Sequence, residues 1–277
     1  MKHAILGGGI FTHAHIRVTT EITNNSYITV FKRHWSQDQK HKFKIYSNVN
    51  SSVYTQDNVL AYNPDIIHIV TPDDSHLPYL VKFSNSTSCI FLEKPSVVIG
   101  SIDNLRTILN IPNNNIYYNN WFAHVTDSVP NKSLHFKYHT QKHITQSEIV
   151  NQVLTHLVSY LINIGIAPTC SIDISNNTPV PNGLQAQIHI NNITMYVDIL
   201  SGTNEKSQWS LQVDNRIPIT SNDSKGNEMR QAFKSVYDKT QPNHHWLDSA
   251  ILTSRLDYQF KSNSWPIEMM ELINEKN

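Results

Sequence analysis

The stretch Asp65–Val97, DIIHIVTPDDSHLPYLVKFSNSTSCIFLEKPSV, constrains the fold of this chain more than any other. It reads as a buried strand (Ile66–Val70), a break at Thr71-Pro72, a short helix starting near His76 and a second apolar strand (Cys89–Leu92). Short runs that are apolar without alternation belong to strands covered on both faces, and parallel strands need a crossover helix between them. The second strand runs into Glu93-Lys94-Pro95. A lysine at the carboxyl end of a parallel strand, its backbone fixed by the following proline, points into the crevice where α/β sheets bind ligands.

The start of the chain supplies the other wall of that crevice. Strand His3–Leu6 ends in Gly7-Gly8-Gly9-Ile10-Phe11-Thr12, which fits the dinucleotide pattern G-x-G-x-x-G/A except at its last position. Gly7 permits the tight turn, Gly9 lets backbone N–H groups approach a pyrophosphate, and Ile10, Phe11 and Thr12 open the helix behind it. Thr12 stands where a smaller residue normally lets helix and strand pack closely, and it either loosens the helix slightly or adds a hydroxyl at the cofactor. The chain has only 8 glycines, so three in a row are not background composition. A glycine turn without a cofactor is the bland alternative; a strand before it and a helix after it favour the phosphate turn.

The end of strand two (Tyr27–Phe31) chooses the cofactor. An acid there would accept hydrogen bonds from the ribose hydroxyls, but the chain reads Lys32-Arg33, with no Asp or Glu before Asp38. Two cations at this place attract a 2′-phosphate, which points to NADP and leaves NAD as the second choice. The alternative is that both merely face water at a strand end.

Strand and helix patterns alternate up to about residue 121. Helices are expected over Thr12–Ile22, Ser36–Tyr46, Gln56–Tyr62 and after an N-cap at Ser101. A short third strand falls at Ser51–Tyr54, a turn at Asn113–Asn115 and a last strand at Ile116–Trp121. Beyond it the period changes. Leu184, Ala186, Ile188 and Ile190 alternate with polar residues, as do Trp209, Leu211 and Val213, which marks antiparallel strands with one wet face. A long helix, Ser147 to about Ile164, precedes them, and shorter ones follow near Asn227–Asp238 and Trp246–Phe260. The chain is therefore expected to be α/β: a Rossmann-type parallel-sheet domain over 1–121, then an α+β domain over 122–277 with an open, mostly antiparallel sheet.

Basic and acidic residues balance at 22 each, which argues against a nucleic-acid partner. No apolar run approaches the ~20 residues that span a bilayer, and a strand at the N-terminus leaves no room for a signal peptide. A cytoplasmic protein without a membrane partner is expected, with the sequons at Asn24 and Asn85 unused. Cys89 and Cys170 make neither a disulfide framework nor a zinc pattern, and His244-His245 lacks acids or cysteines beside it, so no metal is expected.

The segments Thr71-Pro72…His76 and Glu93-Lys94-Pro95, in this order behind the glycine turn, resemble the TP…H and EKP signatures of the glucose–fructose oxidoreductase/inositol dehydrogenase (Gfo/Idh/MocA) family. The resemblance implies an NAD(P)-dependent oxidoreductase moving hydride to or from a carbonyl, hydroxyl or imine carbon of a small polar metabolite, such as a sugar, nucleotide sugar or biosynthetic intermediate. It places Thr71, Pro72 and His76 at the cofactor, Lys94 beside nicotinamide and substrate, and Glu93 either orienting Lys94 or contacting the cofactor, with a strand-end ion pair as its bland reading. An ammonium there stabilises the alkoxide that develops as hydride arrives. His15 matches a frequent family histidine of the first helix, read as packing or capping.

The family's second signature, D-x-G-x-H-x-x-D, corresponds to Gln152–Ser159, where His156 is kept while the acids become Gln152 and Ser159 and the Gly becomes Leu154. Helical spacing predicts Gln152, His156 and Ser159 on one face with Tyr160 adjacent, so His156 is the second catalytic candidate and Gln152 and Tyr160 are substrate candidates. A hydrogen-bonded core histidine is the competing reading. Asn120 and Trp121 are expected pocket-wall residues, and the second sheet is the expected face for a homo-oligomer. The resemblance marks the chain as a short and divergent member. Loss of both acids motivates the alternative of a non-catalytic dinucleotide-binding sensor or accessory subunit, and redox-neutral chemistry through a transient ketone is a third option.

Overall fold

The computed structural model describes residues 1–276 except 24–25, 44, 47, 113–114, 181, 205, 223–225 and 262–263. The Asn24 sequon and most of the Asn113–Asn115 turn lie outside the described residues. Close packing sorts the chain into two units that interleave in sequence: 1–97, 110–119 and 229–247 form the first, and 98–109, 120–228 and 248–277 the second. The expected continuous halves, 1–121 and 122–277, thus exchange segments.

In the first unit β1 (Lys2–Leu6), β2 (Tyr27–Lys32), β3 (Val49–Val53), β4 (Ile66–Ile69), β5 (Cys89–Leu92) and β6 (Ile116–Tyr118) form one sheet in the order β3-β2-β1-β4-β5-β6. Every pairing is parallel. This is the doubly wound Rossmann order, and the order reverses between β1 and β4, where such sheets open a ligand crevice at their carboxyl ends. The crossover helices are α1 (Ile10–Ile22), α2 (Gln37–Phe43), α3 (Gln56–Tyr62) and α4 (His76–Phe83). Local chemistry sets their ends. The Thr55 hydroxyl accepts the Asn58 N–H at 3.0 Å to start α3, and Asn63 takes a left-handed conformation (φ 51°) to end it. The last strand stops at Tyr118, short of Trp121, which begins a 3₁₀ turn (Trp121–His124).

Helix α5 (Ile102–Leu109) belongs to the second unit, and most of α8 (Asn227–Tyr237) to the first. Phe233 and Val236 of α8 pack with Val18, Ile66, Cys89, Phe91 and Tyr117 in one apolar cluster. Phe233 is fully buried, 4.6 Å from the Phe91 ring centroid and 4.8 Å from that of His15. Phe233→Ala is expected to cost about 3–5 kcal/mol of stability in urea unfolding. An unchanged midpoint would detach α8 from this core.

The second unit holds β7 (Ser133–Thr140), β8 (Ile172–Val180), β9 (Gly183–Ile190), β10 (Ile193–Ser201), β11 (Gln208–Val213) and β12 (Ile219–Thr220), ordered β12-β11-β7-β10-β9-β8. Among the described residues β7–β10 is its one parallel pair and the rest are antiparallel. Leu134, Phe136, Ile188, Val197 and Leu211 face Leu157 and Leu161 in the core beneath it. The long helix of the sequence reading is interrupted. It begins as α6 (Gln146–Ile149), widens to a π segment (Val150–Leu154) and resumes as α7 (Thr155–Asn163). The Thr155 N–H reaches the Val150 carbonyl, five residues back. Helices α9 (His245–Phe260) and α10 (Ile267–Lys276) close the chain.

Candidate active site

The turn after β1 is shaped for an anion. Gly7 has φ 143°, and a Cβ there would collide with the Val70 carbonyl oxygen, so both conformation and space require glycine. A Cβ on Gly8 would come within 2.7 Å of the Lys32 stem, which lies across it. On Gly9, the N-cap of α1, it would meet nothing within 4 Å. No side chain caps α1 and its first turn holds no acid, so the helix end offers its N–H groups and positive dipole to a phosphate. Ile10 and Phe11 flank this end, 80% and 51% exposed.

Thr12 is a correction to the sequence reading. It is fully buried beneath the turn, its hydroxyl near Gly7 and without a hydrogen-bond partner among the described residues. The hydroxyl fills the space under the turn rather than facing the cofactor.

At the end of β2 the Lys32 ammonium lies 6.0 Å from the Trp35 ring centroid. Arg33 is exposed, and its charge acts on the Tyr54 hydroxyl, whose pKa burial and the neighbouring Tyr79 nonetheless push up to about 12. Two cations therefore stand at the carboxyl end of β2, Lys32 with its stem across Gly8 and Arg33 acting on Tyr54.

The loops after β4 and β5 are tied together by a buried histidine. His76 Nε2 lies 2.9 Å from the Thr71 carbonyl oxygen and its Nδ1 2.8 Å from that of Pro95. His76, expected as a cofactor contact, is fully enclosed and joins the two loops instead. Thr71 carries a buried hydroxyl without a partner among the described residues, and Pro72 is exposed beside it. Lys94, half-buried and followed by a cis peptide to Pro95, holds its ammonium 5.6 Å from the centroid of the Phe11 ring. That contact brings the strand-end lysine to the first turn of α1. Asp73 also feels the Lys94 charge: burial raises its carboxyl pKa, while His76 and Lys94 oppose the rise.

Of the two roles expected of Glu93, its side chain is placed for the one beside Lys94 rather than for an exposed cofactor contact. It is 5% exposed and turned into the protein. Its Oε1 accepts from His15 Nε2 at 2.6 Å and Asn119 Nδ2 at 2.7 Å, and its Oε2 accepts the Lys94 N–H at 3.1 Å. Burial works against its charge, but the hydrogen bonds from His15 and Asn119 and the Lys94 charge outweigh it and hold the carboxyl at about 2. The stability this group adds is present above its ordinary 4.5 and is lost only as pH falls towards 2.

The remaining candidates lie in the second unit. His156 is 8% exposed, with its ring 4.9 Å from Trp121 and 5.6 Å from Phe122 between centroids. Trp121 is half-buried, and Asn120 is buried, its carbonyl accepting the Ala123 N–H. Gln152 sits in the π segment, accepting from Lys142 Nζ at 2.8 Å and donating to Glu148 at 3.0 Å. The Ser159 hydroxyl donates to the Thr155 carbonyl at 3.1 Å. Gln152 lies in the π segment while His156 and Ser159 lie on α7, so the regular α spacing assumed for their common face does not run through Gln152. Tyr160, expected at the substrate, is fully buried with its hydroxyl on the Ser128 carbonyl, and serves the framework.

Sequence reasoning passed over Asp73, Asn119, His3 and His68, and took His15 for packing. One signal was available: His68 interrupts the fully buried strand Ile66–Ile69, where a polar side chain needs a partner.

Residues 1–114 match the Gfo/Idh/MocA model, described as an oxidoreductase family with an NAD-binding Rossmann fold. Residues 1–114 are therefore a Rossmann domain of the Gfo/Idh/MocA type. Solved structures of oxidoreductases share the two-domain fold. The WlbA (WbpB) dehydrogenase from Thermus thermophilus, in complex with NAD and UDP-GlcNAcA, superposes with a TM-score of 0.68 at 11% identity, over 93% of this chain and 94% of that one. A Gfo/Idh/MocA oxidoreductase from Vibrio cholerae gives 0.69 at 12%, over 95% and 98%. The myo-inositol dehydrogenase from Lactobacillus casei, with NAD(H) and myo-inositol, gives 0.65 at 12%, over 92% of each. No curated protein matches the chain. Among the described residues no helix is long and apolar enough to cross a membrane, and no cluster of three or more His, Cys, Asp or Glu is placed to hold a metal ion.

Proposed function

We propose that this chain is an NADPH-dependent oxidoreductase of the cytoplasm, acting on the carbonyl, hydroxyl or imine carbon of a small polar metabolite. The observation that carries this reading is the Lys94 ammonium at the carboxyl end of β5, 5.6 Å from the Phe11 ring on the first turn of the phosphate-binding helix. A turn with an open Gly9 and an uncapped helix end fits a pyrophosphate. The bound nicotinamide would supply or accept the hydride. Lys94 would hold a proton at the substrate oxygen, so charge developing there meets an ammonium rather than water. Asp73 and Glu93 supply the opposing charges around that ammonium. In the second unit, His156 in its aromatic surround is proposed as a further acid/base residue, and Asn120, Trp121 and Gln152 as substrate residues.

A polyhydroxylated substrate is supported by two neighbours, whose structures hold a nucleotide sugar and an inositol. A homo-oligomer through the second sheet is supported by its alternating face, on which Tyr196 is 42% exposed. The competing reading, a non-catalytic dinucleotide-binding sensor or accessory subunit, is favoured by one observation. Gln152 and Ser159, which replace the family's acids, are engaged with Lys142, Glu148 and the Thr155 carbonyl. Tight NADPH binding without turnover on a panel of carbonyls, alcohols and imines would select it.

Cofactor choice is tested at β2. NADPH is expected to bind at least about tenfold more tightly than NADH, since each charge-assisted contact to phosphate contributes on the order of 1.5–3 kcal/mol. Lys32→Ala should remove most of that preference in a nicotinamide-fluorescence titration. Equal affinities, or a preference untouched by the substitution, would overturn it.

A further inference from the structure

Beneath Lys94 lies a file of four buried titratable side chains. Glu93 Oε1 is 2.6 Å from His15 Nε2, His15 Nδ1 is 3.0 Å from His68 Nδ1, and His68 Nε2 is 3.1 Å from His3 Nδ1. The three rings come from α1, β4 and β1, and all are fully buried. Asn119 and Lys94 face the Glu93 end, and the Phe91 and Phe233 rings pack on His15 and His68. At the other end His3 meets the Tyr237 ring at 5.6 Å and feels the N-terminal amine and Asp65. The Tyr237 hydroxyl is held 2.8 Å from that of Thr19, and burial raises its pKa.

Every contact in the file needs one donor and one acceptor. Burial holds His68 well below its ordinary pKa, and burial foremost brings His3 down to about 4, so near neutrality each ring carries one proton. If His15 also carries one, the direction is determined. His15 Nε2–H donates to the carboxylate, His68 Nδ1–H donates to His15 Nδ1, and His3 Nδ1–H donates to His68 Nε2. His3 Nε2 is then a bare lone pair, and this atom is buried without a partner among the described residues. The reverse order needs a second proton on His15 and strands an N–H at His3 Nε2, the rarer kind of buried orphan.

We propose that His15, His68 and His3 are positioning residues for Lys94: their aligned ring dipoles keep Glu93 a carboxylate in one orientation, which holds the Lys94 N–H and a constant field at its ammonium. The inference rests on Lys94 being the group that meets the substrate oxygen. Its test needs neither substrate nor cofactor. Nitrogen-15 NMR of the histidine-labelled protein at pH 7 should show the proton on Nε2 of His15 and on Nδ1 of His68 and His3. The Glu93 carboxyl carbon-13 shift should stay flat from about pH 8 to pH 4.

His68→Phe keeps a ring but removes both nitrogens, and should raise the Glu93 midpoint by about one pH unit or more. His68→Asn, whose amide still donates to His15, should restore the flat titration. A proton on His15 Nδ1, or equal Glu93 titrations in the two variants, would overturn the proposal. If His68→Phe does not fold, the tautomers of the unsubstituted protein still decide. NADPH titration of the same sample separates the readings: absent binding removes the oxidoreductase assignment, while wrong tautomers remove the file whatever binds.

Discussion

Lys94→Ala is expected to lower turnover by about 10²–10³-fold, roughly 2.7–4 kcal/mol of transition-state stabilisation, the size of one lost preorganised donor. NADPH affinity should change far less, because the proposed phosphate turn is set by the backbone at Gly7, Gly9 and the end of α1, whereas the ammonium lies against the Phe11 side chain. Lys94→Arg should rescue poorly, since a guanidinium does not readily release a proton. Steady-state kinetics beside a fluorescence titration of NADPH checks both halves. Full turnover in Lys94→Ala would remove the lysine from the chemistry.

Gly9→Val should weaken NADPH binding by about 100-fold or more, on the order of 2.7 kcal/mol, with little effect on stability. The backbone at Gly9 is extended (φ −87°, ψ −170°), which valine adopts readily, and its Cβ would enter open space where the pyrophosphate belongs. Gly7→Ala is the contrasting variant. There φ is 143° and the Val70 carbonyl blocks the methyl, so about 1–3 kcal/mol of stability should be lost along with binding. Calorimetry and thermal unfolding of the pair separate a site effect from a folding effect. Unchanged NADPH affinity in Gly9→Val would show that residues 7–12 are not the phosphate turn.

What these predictions rest on was unequally visible in the chain. The parallel strands at Ile66–Ile69 and Cys89–Leu92, the helix Gln56–Tyr62 and the glycine turn are local patterns, each set by a few neighbouring residues. The alternation in Gly183–Ile190 is equally local, and it announces a one-sided sheet. The interruption of the helix expected after Ser147 was not legible, because the residue types at Val150–Leu154 suit ordinary α winding as well as the π winding they adopt.

From sequence alone, then, came the strand order's raw material, the glycine turn after β1, the cations after β2 and the strand-end lysine, because backbone permissiveness, periodicity and charge are written residue by residue. Tertiary structure alone decided the partners. His15 and Glu93 meet across 78 residues and His3 and His68 across 65, and Phe233 of α8 covers the same cluster from the far end of the chain. It also turned Glu93, His76 and Thr12 inward, away from the surfaces their motifs suggested. The physical reason is that a buried polar group must find its donor or acceptor wherever the fold brings one, and no spacing along the chain encodes that place.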